Sequence, residues 1–369
     1  VAKEVTFSRF DHECMAMALR LARKGLFTTD PNPRVGCVIA GPEAVAGVGW
    51  HEKAGGPHAE IAALRDAGGT AQGMTAYITL EPCNHHGRTP PCTEALLEAG
   101  IARVVIASRD PNPRVNGGGV QQLQAAGVQV ETGLMSQEAE ALNAGFMSRM
   151  RIGRPWVRVK SAISLDGRSA LENGESKWIS SEASRKDVQC WRARSSAILT
   201  GIGTVLADNP SMDARVEGAV KQPLKVIVDS HWRTPPVSKV LAGPGEVLIA
   251  GDESIPVPGD LVSSKVNCLP LPAKNGRLDL HQLLGTLGEM EINEVQVEAG
   301  ARLCGALLEA GLVDEILIYQ APILLGEGGP GPFAFGPLES MQQRTHLQVL
   351  ETVRFNQDLR IRLQIKTSH

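Results

Sequence analysis

Pro57-His-Ala-Glu60 and Thr79-Leu-Glu-Pro-Cys-Asn-His-His-Gly-Arg-Thr-Pro-Pro-Cys92 together decide how the first half of this chain is read. They offer one imidazole, His58, and two thiols, Cys83 and Cys92. That donor set closes three corners of a tetrahedral zinc site and leaves the fourth open for water. Glu60 follows His58 by two residues and is not needed as a ligand, so its place is to move protons. The local pattern supports this. His58 opens a helix running to Ala67, the strand Ala76–Leu80 ends just before Pro82-Cys83, and Cys92 precedes an apolar helix over Thr93–Ala99 that Gly100 closes. A thiolate at Cys92 would gain from the dipole of that helix. Zinc lowers the pKa of a water it holds to about 7, and Glu60 could take that proton and pass it on.

Outward from this stretch, the first half alternates helix and strand signals. A helix is expected from Phe10 to Lys24, stopped by Gly25, then a hairpin of Val35–Ala40 and Val45–Trp50 joined at Gly41-Pro42. Past Gly100 come a strand at Arg103–Ala107, a helix at Gly119–Ala126, a strand at Val128–Glu131 and one helix from Ser136 to Met150. Such alternation predicts a sheet with helices on both faces. Arg151-Ile-Gly-Arg-Pro155 reads as a hinge before a new strand at Trp156–Ser161. Further strands are expected near Ala197–Thr200, Leu224–Asp229, Glu246–Ala250, Glu294–Val297, Glu315–Tyr319 and Gln357–Gln364. Helices are expected near Ser181–Arg194, Asp279–Leu287 and Ala301–Ala310, and Gly/Pro-rich surface loops at Ala242–Gly259 and Gly326–Pro337. The prediction is two α/β domains of different design, 1–150 and 151–369.

In the second half Gly201-Ile-Gly203-Thr204 follows a strand, but Leu206 stands where a GxGxxG fingerprint needs its third glycine, so a Rossmann domain is not supported. Val297-Glu-Ala-Gly300 is a better nucleotide signal: a strand ends and a helix begins at once, which makes an anion site for a pyrophosphate. Either glycine motif alone reads equally well as a structural turn.

Composition bounds the function. The 369 residues exceed one ordinary core, and 43% hydrophobic with 21% charged residues describe a globular chain rather than a disordered one. A net charge of −3 gives no global reason to bind nucleic acid. No apolar run approaches the roughly 20 residues a bilayer requires, and Val-Ala-Lys-Glu-Val at the start lacks the apolar core of a secretory signal. Seven scattered cysteines fit reduced thiols, two of them on metal, and make the cytoplasm the expected compartment.

The His58, Glu60, Cys83 and Cys92 set resembles the zinc nucleobase deaminases, with one departure. Where those enzymes commonly place two residues between the cysteines, eight intervene here, Asn84 to Pro91. The longer loop carries His85, His86 and Arg88 and would shape a special substrate pocket.

The likeness then narrows. With the two opening segments, Pro31-Asn-Pro-Arg-Val-Gly36 and Asp110-Pro-Asn-Pro113 resemble the bifunctional deaminase–reductase family of riboflavin biosynthesis. In the second half the same likeness runs through Val159-Lys-Ser-Ala-Ile-Ser-Leu-Asp-Gly167, Ser176-Lys-Trp-Ile-Ser180, Thr204-Val-Leu-Ala-Asp-Asn-Pro210 and Val297-Glu-Ala-Gly300. The resemblance implies a cytidine-deaminase-like three-layer α/β/α domain followed by a dihydrofolate-reductase-like α/β domain. It implies deamination of a diaminopyrimidinone ribosylamine 5′-phosphate and NADPH-dependent reduction of its ribose to ribityl, in a homo-oligomer. It places zinc on His58, Cys83 and Cys92 with Glu60 as proton shuttle, and Asn32, His51, Arg88 and Asn112 around the base and ribose phosphate. Ala162, Trp178, Thr204, Asp208, Ser230 and the run Gly300, Ala301, Arg302, Leu303, Cys304, Gly305 and Ala306 would line the cofactor. Ser176, Arg192, Met212, Arg215 and Glu298 would contact substrate. Lys160 and Asp208 are the candidate proton sources, Lys160 alternatively a substrate anchor. Family members often carry Leu-Thr where this chain has Met212-Asp213, which sets a negative charge beside Arg215.

Two other readings compete. A nucleic-acid-editing deaminase is opposed by the acidic balance, by two tyrosines in the whole chain and by the long inter-cysteine loop. A non-catalytic nucleotide-binding protein is opposed by the intact donor set with Glu60.

Overall fold

The computed structural model describes residues 6–42, 44–85, 90–113, 115–218, 221–263 and 265–366. The chain divides into two compact units, Val1–Gly153 and Arg154–His369.

Elements of the first unit are α1 Arg9–Ala22, β1 Gly36–Ala40, β2 Val45–Trp50, α2 Ala59–Ala67, β3 Thr75–Leu80, α3 Cys92–Glu98, β4 Arg103–Ser108, α4 Gly118–Ala125, β5 Gln129–Thr132, α5 Ser136–Leu142 and α6 Ala144–Ile152. Among the described residues the strands form one sheet in the order β2-β1-β3-β4-β5. The hairpin pair β1 and β2 and the pair β1 and β3 are antiparallel, while β3, β4 and β5 run parallel. Strand alternation sorts side chains to two faces. Cys37, Ile39, Ile78, Val104 and Ile106 pack under α2, α3 and α4, whereas Val38, Ala40, Tyr77, Val105 and Ala107 pack under α1 and α5. This is the expected three-layer arrangement. Helix α2 lies directly on β2, because a Cβ on Gly49 would sit 2.3 Å from the Ala59 carbonyl and one on Gly47 2.3 Å from that of Ala63. Those two glycines set the depth at which His58 enters.

The single helix expected over 136–150 is broken. Asn143 leaves helical geometry (φ −113°, ψ 24°) and ends α5 before α6 begins. Its buried side-chain amide accepts the Arg34 N–H at 2.8 Å and donates to the Arg34 carbonyl at 2.9 Å. That pair of bonds to another segment outweighs helical continuity.

The second unit comprises β6 Trp156–Ile163, α7 Glu182–Arg194, β7 Ala197–Gly201, α8 Ile202–Asp208, β8 Leu224–Val228, α9 Lys239–Ala242, β9 Val247–Asp252, β10 Val266–Leu271, β11 Ala273–Lys274, β12 Arg277–Leu278, α10 Leu280–Glu289, β13 Glu294–Val297, α11 Ala301–Glu309, β14 Glu315–Gln320, β15 Leu347–Phe355 and β16 Asp358–Ile365. The main sheet runs β10-β9-β8-β7-β13-β6-β14-β16-β15 among the described residues. It is parallel from β10 to β14 and closes with an antiparallel hairpin, β15 and β16. Strands β10 and β15 and helix α8 are absent from the sequence reading. Pro270 sits within β10 at the sheet edge, where a missing N–H costs nothing, and β9 crosses the stretch Ala242–Gly259 that composition marks as loop. At the amino end of the sheet, buried Arg158 joins Glu315 (2.8 Å) and Glu294 (3.0 Å), and its guanidinium stacks on Trp191 at 4.5 Å.

Candidate active sites

His58 is the residue that caps α2, in extended conformation, and its side chain makes no capping bond. The ring is thereby free to turn toward the thiols. Nδ1 lies 3.2 Å from Cys92 Sγ and 3.6 Å from Cys83 Sγ, and the three donor atoms all fall within 4.8 Å of one another. Zinc with bonds of about 2.0–2.1 Å to nitrogen and about 2.3 Å to sulfur at a tetrahedral angle separates N and S by about 3.6 Å. The donor set fits zinc in both chemistry and spacing.

The bond between the two thiols moves them in opposite directions. Cys83 is pulled well below the ordinary thiol range, first by the Cys92 thiol and, against burial, by the His58 ring and the Cys92 N–H (3.4 Å). Cys92 is pushed up by its bond to Cys83 and by burial. Cys92 is the first residue of α3 rather than the residue before it, and the thiol whose pKa is lowered is Cys83, through its bonds to Cys92 and His58.

Glu60 sits in the first turn of α2 and is buried; burial pushes its carboxyl up, against the pull of His58, and it meets the Cys92 thiol. His51 lies beside this centre, its ring edge-on to His58 with centroids 5.7 Å apart. His51 Nδ1 is 3.0 Å from the Pro57 carbonyl and Nε2 is 3.1 Å from Asn32 Nδ2. The pairing fixes one tautomer: Nδ1–H donates to Pro57 and Nε2 accepts from Asn32. Burial lowers the His51 pKa, which keeps the ring neutral. Asn112 is held in a turn by its N–H to Asp110 Oδ1 at 2.8 Å. Arg88 and His86 lie outside the described residues.

In the second unit the candidate residues collect at the carboxyl ends of parallel strands, where open α/β sheets bind ligands. Lys160 on β6 faces Glu298, just past β13. Burial lowers the Lys160 pKa, while Glu298 opposes that shift and Arg192 adds to it. Arg192 grips Glu298 through two bonds of 2.8 Å and donates to the Asp213 carbonyl at 3.0 Å. Burial alone would raise the Glu298 carboxyl; Arg192 overrides it and holds the group at about 2. Met212 is buried at φ 53°, and Arg215 pairs with Asp213 at 2.8 Å.

Helix α11 begins at Gly300 with no side chain capping it, so its first N–H groups suit a pyrophosphate. Of its residues Arg302 is exposed, Ala301, Leu303 and Ala306 are half-buried, and Cys304 and Gly305 turn into the core. Trp178 is 70% exposed, with Arg185 stacked on it at 4.5 Å. Asp208 ends α8 in an ion pair with Lys177 at 3.4 Å, and Thr204 lies on the same helix. Ala162 is half-buried on β6 beside Tyr319, and Ser176 and Ser230 are half-buried in loops. Two buried carboxylates, Glu81 and Asp110, border the first site without having been singled out; the signal was available in Glu81, an acid set at the end of an apolar strand.

Fold and donor set define a zinc-dependent deaminase joined on one chain to a nucleotide-dependent reductase. Residues 8–108 match the family model for the cytidine and deoxycytidylate deaminase zinc-binding region, and residues 155–361 that for the RibD C-terminal domain. The riboflavin biosynthesis protein RibD of Escherichia coli is 48% identical over 345 residues, covering 90% of this chain and 93% of that one. The Haemophilus influenzae RibD is 42% identical over 367 residues, with 96% and 97% covered. Among solved structures, Acinetobacter baumannii RibD superposes at a TM-score of 0.90 with 45% identity, over 97% of this chain and 99% of that one. A Thermotoga maritima diaminohydroxyphosphoribosylaminopyrimidine deaminase/5-amino-6-(5-phosphoribosylamino)uracil reductase does so at 0.86 with 31% identity, over 96% and 99%. The chain belongs to the RibD family. It is a bifunctional enzyme of riboflavin biosynthesis, acting on small molecules with zinc in its deaminase and NADPH in its reductase.

Proposed function

We propose that residues 1–150 remove the 2-amino group of 2,5-diamino-6-(ribosylamino)pyrimidin-4-one 5′-phosphate, and that residues 151–369 then reduce the ribosyl group to ribityl with NADPH. One observation carries this reading: a single chain holds the His58, Cys83 and Cys92 donors bordered by the Glu60 carboxyl, and also the Lys160, Arg192 and Glu298 cluster at its parallel strand ends. Zinc held by those donors supplies hydroxide near neutral pH, with the pKa of its water at about 7. Glu60 would take a proton from the attacking water and give it to the ring nitrogen, then take the proton of the added hydroxyl and give it to the leaving amine. A carboxyl raised by burial is matched to taking and giving in one cycle. Asn32, His51 and Asn112, with Arg88, hold the base and ribose phosphate, His51 being locked in one tautomer for the purpose.

In the reductase, Gly300 to Ala306 with Ala162, Trp178, Thr204, Asp208 and Ser230 line NADPH, which supplies the hydride. Ser176, Arg192, Met212, Arg215 and Glu298 contact substrate. The half-buried position of Lys160 on β6 beside Glu298 and its lowered pKa support Lys160 over Asp208 as the proton source, Asp208 being tied to Lys177 at the surface. Exposed Leu347, Val349 and Leu350 on the edge strand β15 support a homo-oligomer that covers them. Among the described residues no helix is long and apolar enough to cross a membrane. Seven cysteines, two in a metal-donor set, fit a reducing compartment, and we place the protein in the cytoplasm.

The test is a coupled assay on zinc-quantified protein: ammonia release from the diaminopyrimidine phosphate, then loss of NADPH absorbance. Both signals are expected. Failure of both with zinc present refutes the substrate assignment, and ammonia alone refutes the second half.

A further inference from the structure

Glu81 ends the β3 side of the site, buried and two residues before Cys83. Its carboxylate accepts three backbone N–H groups: Oε2 those of Asp110 (3.3 Å) and Gly117 (3.2 Å), Oε1 that of Val120 (3.1 Å). These donors bracket the turn that carries Asn112, whose own carbonyl accepts from Val115 (2.8 Å) and Asn116 (3.0 Å). The same segment touches the ligand-bearing strand end again at Gly119, where a Cβ would lie 2.3 Å from the Pro82 carbonyl. A third tie passes through buried Thr93. Its N–H donates to the Cys83 carbonyl (3.2 Å), and its hydroxyl lies 2.9 Å from Gln122 Oε1 on α4.

We propose that Glu81 is a positioning residue of the deaminase: its carboxylate pins the Asn112 loop to the strand end that carries Cys83, and so fixes the substrate relative to the metal donors. The proposal rests on the reading of Asn112 as a substrate contact. Three backbone N–H groups collected by one side chain tie down the Pro-flanked segment that runs into α4. Glutamine has nearly the same shape but cannot replace the carboxylate, since its NH2 group would face one of the N–H donors.

The test uses the full zinc-loaded chain with Glu81→Gln, Asn112→Ala and the double variant, measuring KM and kcat for ammonia release. Zinc content and NADPH oxidation with the deaminated substrate serve as folding controls. Glu81→Gln should raise KM roughly 10- to 100-fold, change kcat far less, and leave both controls unchanged. The double variant should be no worse in KM than Asn112→Ala. A KM within twofold of the parent, or two penalties that multiply in the double variant, overturns the proposal while leaving Asn112 as a substrate contact. A silent Asn112→Ala overturns that reading, and the proposal falls with it. If Glu81→Gln loses zinc, Gly119→Ala carries the test, because its Cβ would meet the Pro82 carbonyl at 2.3 Å and Glu81 Oε1 at 3.3 Å and so push the loop off the strand end while the carboxylate is kept. A raised KM with zinc intact then supports the proposal, and an unchanged KM overturns it.

Discussion

Replacing Glu315 by Gln should cost the second unit more than replacing Arg158 by Met, although the two side chains share a bond. Arg158 is wholly buried and holds Glu315 at 2.8 Å and Glu294 at 3.0 Å. Each glutamate has a second partner: Arg194 reaches Glu294 at 3.0 Å and Arg362 reaches Glu315 at 2.7 Å. Losing Arg158 therefore leaves two carboxylates with two arginines, a neutral and still paired set. The cost is about 1–3 kcal/mol, mostly lost hydrogen bonds. Losing the Glu315 charge leaves three arginines around one carboxylate, with Arg158 in the core. Removing one partner of a buried pair costs about 3–5 kcal/mol. At roughly 2–4 °C per kcal/mol for a unit of this size, Glu315→Gln should lower its melting temperature by about 6–20 °C. Differential scanning calorimetry on the full chain reads this, the second unit's transition being the one NADPH raises. A shift below about 3 °C, or Arg158→Met as the more damaging change, would refute the electrostatic reasoning.

Glu60→Gln should lower kcat for ammonia release by about 10²–10⁴ while zinc content and NADPH oxidation with the deaminated substrate persist; ammonia release within tenfold of the parent would remove Glu60 from proton transfer. Stripping zinc with a chelator should abolish ammonia release, spare the reductase, and be reversed by added zinc. Acid should weaken the second unit. Glu298 and Glu315 are each held at about 2 against an ordinary value of 4.5, so their contribution is complete above about 4.5 and is lost as pH falls toward 2. Denaturation followed by tryptophan fluorescence across that window should show stability falling with pH, and a flat profile would contradict the pairing. Lys160→Met should lower reductase kcat with little change in NADPH affinity, measured by fluorescence titration; a large loss of NADPH binding would make Lys160 a cofactor anchor instead.

The first unit was readable because most of its β-strands are short apolar runs bounded by glycine or proline, and because a metal site demands particular residue types at particular strand and helix ends. His58, Cys83 and Cys92 needed no partner elsewhere to be recognised, and the structure brings their donor atoms together. What escaped was decided by contacts across the chain. Nothing around Asn143 hints that its amide will bond to Arg34, and nothing near Glu81 names the three N–H groups it collects. Strand β15 escaped because its side chains are mostly exposed and its pairing shifts register between Val349 and Glu351, which interrupts the alternation of Leu347, Val349, Val353 and Phe355. Helix α8 was hidden behind Gly201-Ile-Gly203, two helix-poor residues in its opening turn. Arg192, placed among the substrate contacts by resemblance, is gripped by Glu298, a pairing that no local sequence signal announces.

The Asn143 bond also bears on how the deaminase can be cut from the chain. Arg34 follows Asn32 by two residues, so the backbone beside this proposed substrate contact is fastened by an amide that comes more than a hundred positions later. A fragment ending at the last strand, β5, would keep every metal donor and Glu60, yet would strip Arg34 of that support. Such a fragment should hold zinc and still handle its pyrimidine poorly. A self-sufficient deaminase fragment should therefore reach past Asn143 into α6, whose Phe146 and Met147 pack with Leu80 at the end of β3.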